Sequence, residues 1–279
     1  MTVMEKLLVP ATTARIVERG HDEIGGPVHR AADLSGLGAQ ERVAAHGLAG
    51  TSGPFGDDPA FVDVLRFPTW PTVQLLTPTS PSTPGERPWP VFVHGFLLNA
   101  VPVWTLTATR VPTGSRVVRI GRDGRETELS SYGGAGWGWQ RAKGYTPPLG
   151  LLGPRAQWQG QELPGSYSED QRSFELVRAG VAEAPPGFRE SRPRVFVREV
   201  PLSECDAVFE VVLTARWRGV DVRVVRSTGR ELLLQLTDPT LAAIAETGAS
   251  PLDPWTFQVV APSEEVTDVF GIRNEAAPD

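Results

Sequence analysis

The chain has 279 residues, with 27 Lys and Arg against 33 Asp and Glu, a formal net charge of −6 and no run of basic residues, which argues against a nucleic-acid binder. Hydrophobic residues make up 40% and charged residues 22%, enough for a folded core, and no apolar stretch approaches the length that spans a bilayer. The single Cys205 excludes an internal disulfide framework and suits a reducing cytoplasm, and four dispersed His with one Cys give no zinc spacing, so no metal or cofactor is expected.

With 29 Gly and 26 Pro, the composition favours short strands and many turns over long helices. Residues 1–50 alternate short helical patches with glycines, the clearest running from Leu37 to Ala45 before Gly47. Met1 to Pro10 has no basic stretch leading into an apolar one, so no signal peptide is predicted and the expected location is cytoplasmic. Phe61 to Phe67 alternates in part and predicts a strand. Thr77 to Pro90 holds five prolines, which predicts a surface loop over 77–90. Val91 to Leu98 is short and apolar. Val103 to Val111 has a slipped period of two, which predicts a strand with a bulge. Ser115 to Ile120 and Glu126 to Tyr132 flank Asp123-Gly124, a hairpin signal because Gly takes the positive φ such turns need.

The second half repeats itself. Ala156-Gln157-Trp158-Gln159-Gly160 returns as Ala215-Arg216-Trp217-Arg218-Gly219, an offset of 217 − 158 = 59. Phe196, Pro201, Glu204, Val208 and Phe209 return as Phe257, Pro262, Glu265, Val269 and Phe270, all at an offset of 61. Rare aromatics matching in order predict two copies of one small module over 150–210 and 211–275. In the second copy, Val220 to Val224 and Glu231 to Leu236 read as strands around Ser227 to Arg230. Asp238 and Pro239 read as the start of a helix that Gly248 stops, followed by a strand from Trp255 to Val260 and a helical turn over Pro262 to Val266. The first copy shows strands at Arg172 to Val177 and Val195 to Val200, with Pro185-Pro186-Gly187 where the second has its helix.

Two sets of residues are candidates for a site. As a binding set, the repeated Trp158 and Trp217 could offer an aromatic wall and the repeated Glu204 and Glu265 a charge. The competing reading makes the Trp pair core residues and places each Glu in the first turn of a short helix. As a catalytic set, Arg116 and Arg119 precede Glu126-Thr127-Glu128. An Arg strand with a Glu-x-Glu resembles the ADP-ribosyltransferase pattern, which would have the Arg hold a dinucleotide and the Glu polarise the ribose. The Ser-Thr-Ser strand of that pattern is absent, and a cross-strand ion-pair reading competes. His94-Gly95 lacks the Gly-x-Ser-x-Gly elbow of an α/β-hydrolase, and Gly133 to Gly138 lacks the Lys-Ser/Thr of a phosphate loop.

The run Ala-x-Trp-x-Gly, Val-rich strand, Leu-rich strand, small helix, aromatic strand and Pro-Ser-Glu-Glu resembles small β-rich modules found singly or in tandem in uncharacterised actinobacterial proteins. Some of those look like immunity partners of secreted toxins, including NAD-degrading ones. The expectation is an α+β, strand-rich chain. A β-rich domain over 1–149 with a helical lead-in would precede two modules of sheet plus helix. Such a chain would be a cytoplasmic protein-binding protein, plausibly an immunity protein that covers a toxin's active site, with no nucleic-acid or membrane partner. The alternative is a NAD- or nucleotide-acting enzyme using the Arg and Glu residues of the first domain.

Overall fold

Two antiparallel sheets, of seven and eleven strands, organise the chain. The computed structural model describes residues 2–50, 53–77, 95–143, 145, 147 and 150–276. The predicted loop over 77–90 and the apolar Val91 to His94 lie outside the described residues, apart from Thr77. Phe96, which the same apolar run contains, makes only a single bridge to Pro102.

The first fifty residues are not merely a helical lead-in. They supply strands β1 (Val3–Leu8) and β2 (Glu23–Arg30), with helix α1 (Pro10–Arg19) between them and α2 (Ala39–Ala45) after them. Both strands disguise themselves in the sequence. β1 carries Glu5 and Lys6 at its centre, and both are buried only because partners elsewhere in the chain accept their charges. β2 contains Gly25-Gly26-Pro27, a turn-like triplet that here sits in a strand with a register shift between Ile24 and Gly26. A Cβ on Gly26 would lie 2.2 Å from the Thr256 hydroxyl, so only glycine fits where the second sheet approaches.

Strands β3 (Phe61–Pro68), β4 (Leu75–Leu76), β5 (Trp104–Arg110), β6 (Arg116–Gly121) and β7 (Glu126–Ser131) complete the first sheet in the order β4-β5-β2-β1-β3-β6-β7. The expected Asp-Gly hairpin joins β6 to β7.

The second sheet begins with β8 (Arg155–Trp158), β9 (Gln161–Tyr167), β10 (Ser173–Ala179), β11 (Arg189–Arg192) and β12 (Val195–Pro201). It continues with β13 (Ala207–Trp217), β14 (Val220–Ser227), β15 (Glu231–Leu236), helix α3 (Leu241–Thr247), β16 (Ser250–Asp253), β17 (Thr256–Pro262) and β18 (Thr267–Glu275). The strand order is β11-β12-β10-β9-β8-β13-β14-β15-β17-β16, and β18 pairs with β13.

The two repeated phrases occupy matching places. Trp158 ends β8 and Trp217 ends β13, and each is followed by a two-residue turn with both φ values positive: 48° and 73° at Gln159 and Gly160, 49° and 74° at Arg218 and Gly219. That is the type I′ geometry which suits the twist of a hairpin. Each hairpin leads through a meander to a 3₁₀ turn, Leu202–Glu204 or Ser263–Glu265. The strand after each turn pairs back on the strand that holds the Trp, with Phe209 opposite Arg155 and Phe270 opposite Thr214.

Several details differ from expectation. α3 is capped by Thr240, whose hydroxyl accepts from the Ala243 N–H, rather than by Asp238. No α-helix lies among residues 150–210, where Pro185-Pro186 precludes one. The chain after the second 3₁₀ turn is a full strand, β18, not the end of a helical turn. The eleven-residue β13 runs straight through position 210, where one expected module gives way to the next.

One apolar cluster joins the two sheets. It contains Met4, Leu8, Phe67 and Trp139 from the first and Trp158, Phe174, Val200 and Val208 from the second. Buried polar ties cross the same boundary. The Glu210 carboxylate accepts from Trp70 Nε1 at 2.6 Å, Thr72 Oγ1 at 2.9 Å and Thr109 Oγ1 at 2.6 Å. Asp253 accepts from the Val9 N–H at 3.3 Å and faces Lys6 Nζ at 4.0 Å.

Candidate binding site

Arg66, midway along the face of the first sheet that α2 partly covers, is held between two carboxylates. Its Nε donates to Glu5 Oε2 at 2.8 Å, and its two terminal nitrogens donate to Glu126 in a fork, each at 2.6 Å. Glu5 also meets the Arg42 guanidinium and His29 Nε2, the latter at 3.2 Å. Burial by itself would raise the Glu5 carboxyl, but the His29 hydrogen bond and the Arg42 charge outweigh it and bring the group down to about 2. Glu126 is lowered chiefly by its hydrogen bonds to Arg66. Both groups are therefore fixed as anions near neutral pH.

Beyond Arg66 the same face is open. A cleft of about 460 Å³ has Val3, Phe67, Pro68 and Val118 as its apolar floor, and Arg66, Arg116, Glu126, Glu128 and Glu169 around its rim. Glu169 comes from the β9–β10 connection, so both sheets contribute. It can approach because Gly114, at φ 81°, has no side chain: a Cβ there would lie 3.2 Å from Glu169 Cγ. Arg116 and Glu128 pair loosely at 3.6 Å with both side chains exposed. Three carboxylates face two guanidiniums, and Arg66 is already shared with Glu5.

Of the catalytic set, the structure brings Arg116, Glu126 and Glu128 together on this cleft. Arg119 is not among them. It points to the other face of the sheet, where Asp63 binds it through two contacts of 2.8 and 3.0 Å and its guanidinium stacks on Phe61. Arg116 and Arg119 lie three residues apart on a strand paired regularly with β3, an odd spacing that puts them on opposite faces.

The binding set does not form a surface. Trp158 is 7% exposed and Trp217 is 4% exposed, so neither ring can serve as a wall for a partner. Trp217 Nε1 donates to Glu265 Oε2 at 3.0 Å, which makes the repeated Trp and Glu of the second unit a structural pair. Glu204 and Glu265 both sit in the expected 3₁₀ turns and are exposed. Arg198 covers the Trp158 ring and Arg218 the Trp217 ring.

The sequence reading missed Arg66 and Glu169, the two charged rim residues outside the β6–β7 hairpin. Arg66 had one available signal, its place as a lone cation within the apolar strand Phe61–Pro68. Among the described residues no three His, Cys, Asp or Glu side chains gather as a metal site, and no helix is long and apolar enough to cross a membrane. No protein-family model, curated protein or solved structure matches this chain.

Proposed function

We propose that this chain is a protein-binding protein that seats a basic segment of its partner in the cleft beside β6 and β7. The observation that carries this reading is the cleft's composition, an apolar floor under a rim in which carboxylates outnumber guanidiniums. A Lys or Arg side chain matches both parts, laying its aliphatic stem on Val118 and Pro68 while its head meets Glu128 and Glu169. The net charge of −6 favours the same kind of partner at longer range. A toxin-neutralising immunity protein would act in this way, by covering a basic part of the toxin surface.

Two features weigh against a dinucleotide-acting enzyme. Arg119 faces away from Glu126 and Glu128, and the excess of negative charge at the rim repels phosphates. Glu126, forked to Arg66, is not poised to take up a proton near pH 7.

The proposal includes the architecture that supports it. Residues from about 150 to 275 are read as two copies of one unit, fused so that β13 closes the first and opens the second. The paired type I′ turns, the paired 3₁₀ turns and the matching returns onto the Trp strands support this reading.

The test is fluorescence anisotropy with a labelled peptide of alternating Lys and Leu, against an otherwise equal peptide of Glu and Leu. The Lys peptide should bind, more weakly as salt rises. Glu128→Gln with Glu169→Gln should weaken it about tenfold, as expected for two exposed charges at a rim. Equal binding of both peptides, or no loss in the double variant, would refute the proposal.

A further inference from the structure

β18 is the most exposed strand of the molecule, and its exposure has an internal control. Val269, Phe270 and Ile272 are 57%, 64% and 46% exposed. At the 61-residue offset, Val269 and Phe270 match Val208 and Phe209, which are 8% and 1% exposed. The same apolar pair is therefore buried in one position and open to water in the other. An exposed apolar patch on a strand marks an interaction surface.

The edge is also unpaired. β18 hydrogen-bonds to β13 along one side, from Glu275 opposite Phe209 to Thr267 opposite Arg216, and no strand among the described residues pairs with its other side. A long edge strand of this kind is a template for another strand unless charges guard it. Here the charges Arg273 and Glu275 stay about half exposed but are engaged within their own chain. Arg273 stacks on the Phe209 ring, 3.7 Å from its centroid, and pairs with Glu275 at 2.6 Å.

The open face continues an interface that already exists. Ile272 lies opposite Val212, and Asn274 opposite Glu210, on the face that is buried against Trp70, Thr72 and Thr109 of the first sheet. Asn274 Nδ2 donates to the Thr72 carbonyl at 2.8 Å. The apolar seam between the two sheets thus runs out along β18 and ends at Ile272 and Phe270.

We infer that a second copy of this chain covers this edge, its β18 pairing antiparallel to the first about a two-fold axis. Symmetry limits the register, because directly opposed residues of an antiparallel pair turn the same way, so the sum of the two residue numbers must be even. The register centred on Gly271 fits the side chains. It sets Phe270 of each copy opposite Ile272 of the other and Val269 opposite Arg273; the ladder ends there, because Asp268 lies at φ 51° in a bulge of β18. No like charges oppose one another, and four large apolar side chains meet over two glycines. A shift of one residue toward the N-terminus in both copies would oppose Asp268 with Ile272. The opposite shift would oppose Val269 with Glu275 and Phe270 with Asn274. The pairing joins the second sheets of two molecules into one.

This inference stands apart from the cleft and does not depend on it. Sedimentation equilibrium of the full chain over a wide concentration range is the direct measurement. The expected result is a reversible dimer at twice the monomer mass, 2 × 30.2 = 60.4 kDa. Phe270→Lys with Ile272→Lys alters only exposed side chains, so it should give a monomer with an unchanged melting temperature. In a Cys205→Ser background, Gly271→Cys should form an intermolecular disulfide under mild oxidation, because the axis brings position 271 onto itself, whereas Val269→Cys should not. A wild-type protein that stays monomeric throughout, or a dimer that survives the double Lys variant, would overturn the proposal. So would equal crosslinking at 269 and 271.

Discussion

Replacing Glu210 by Ala tests whether the two sheets are held as one body by a buried carboxylate. Glu210 is 5% exposed and accepts three hydrogen bonds, two from the β3–β4 connection and one from β5. Burial raises its carboxyl, and the hydrogen bonds from Thr109, Trp70 and Thr72 work in the opposite direction. Truncation leaves three donors without this acceptor and removes the negative charge that faces the Arg223 guanidinium. A buried donor left unpaired costs about 1–3 kcal/mol. The two hydroxyls can turn to other acceptors and the Trp70 indole cannot, so a loss of about 3–5 kcal/mol is expected. That is a large part of the roughly 5–15 kcal/mol of a typical fold. Glu210→Gln keeps one acceptor oxygen and should cost about half as much. The assay is urea unfolding followed by tryptophan fluorescence, with the slope checked for two-state behaviour. A loss below about 1 kcal/mol for Glu210→Ala would show that the hydrogen bonds do not hold the sheets together and would refute the reasoning.

Three further outcomes follow from local geometry. His46 is lowered to about 3, first by burial and then by the His29 charge, so it folds neutral while the unfolded chain takes up a proton below about 6.5. Its contribution is complete above 6.5 and is lost as pH falls. Wild type should therefore lose about 1.4 kcal/mol per pH unit more than His46→Gln between pH 6 and pH 4, and parallel stability curves would contradict this. Gly165→Ala should destabilise by about 3 kcal/mol or more, because its Cβ would lie 2.1 Å from the Glu175 carbonyl oxygen in the β9–β10 pairing. A melting temperature within a degree of wild type would sink that expectation. Gly160→Ala and Gly219→Ala should each cost about 1 kcal/mol, and by similar amounts, since both residues sit at φ near 73° in turns of one type. A clear inequality in chemical denaturation would argue against equivalent turns.

What the sequence disclosed depended on whether a segment's chemistry matched its environment. β6 and β7 were legible because an Asp-Gly turn separates two strand-like runs. The Trp-x-Gly phrases were legible because a type I′ turn demands glycine at its second position. β1 was hidden because Glu5 and Lys6 interrupt its apolar pattern, and their neutralising partners Arg42, Arg66 and Asp253 lie far away in the chain. β18 was hidden because a strand exposed on both faces need not alternate. In the cleft, the Glu-x-Glu drew attention to Glu126 and Glu128. Arg119 follows Arg116 by three residues, and strand alternation at that odd spacing already puts it on the opposite face. Glu169 had no local signal, since it reaches the rim only through the packing of one sheet on the other.

The two-residue difference between the repeat offsets of 59 and 61 is itself accounted for by the fold. The strands from β11 to β12 and from β16 to β17 match residue for residue in length. The connection from β9 to β10 has five residues where that from β14 to β15 has three. The connection from β10 to β11 has nine where that from β15 to β16, which carries α3, has thirteen. The strand lengths β9 and β10 against β14 and β15 cancel, so a loss of two and a gain of four leave the observed two. The net change in length falls in surface connections, where added residues cost little, while the two-residue Trp turns and the stretch from β11 to β12 or β16 to β17 keep their lengths. On the reading of a copied unit, β14 carries one residue more than β9 and absorbs it in the bulge between Val224 and Arg226, so its buried face is kept. The same reading also explains why the helix is absent from the first unit without any loss of its sheet. α3 is an elaboration of a connection, while the Trp hairpin, the 3₁₀ turn and the returning strand are the parts that define the unit.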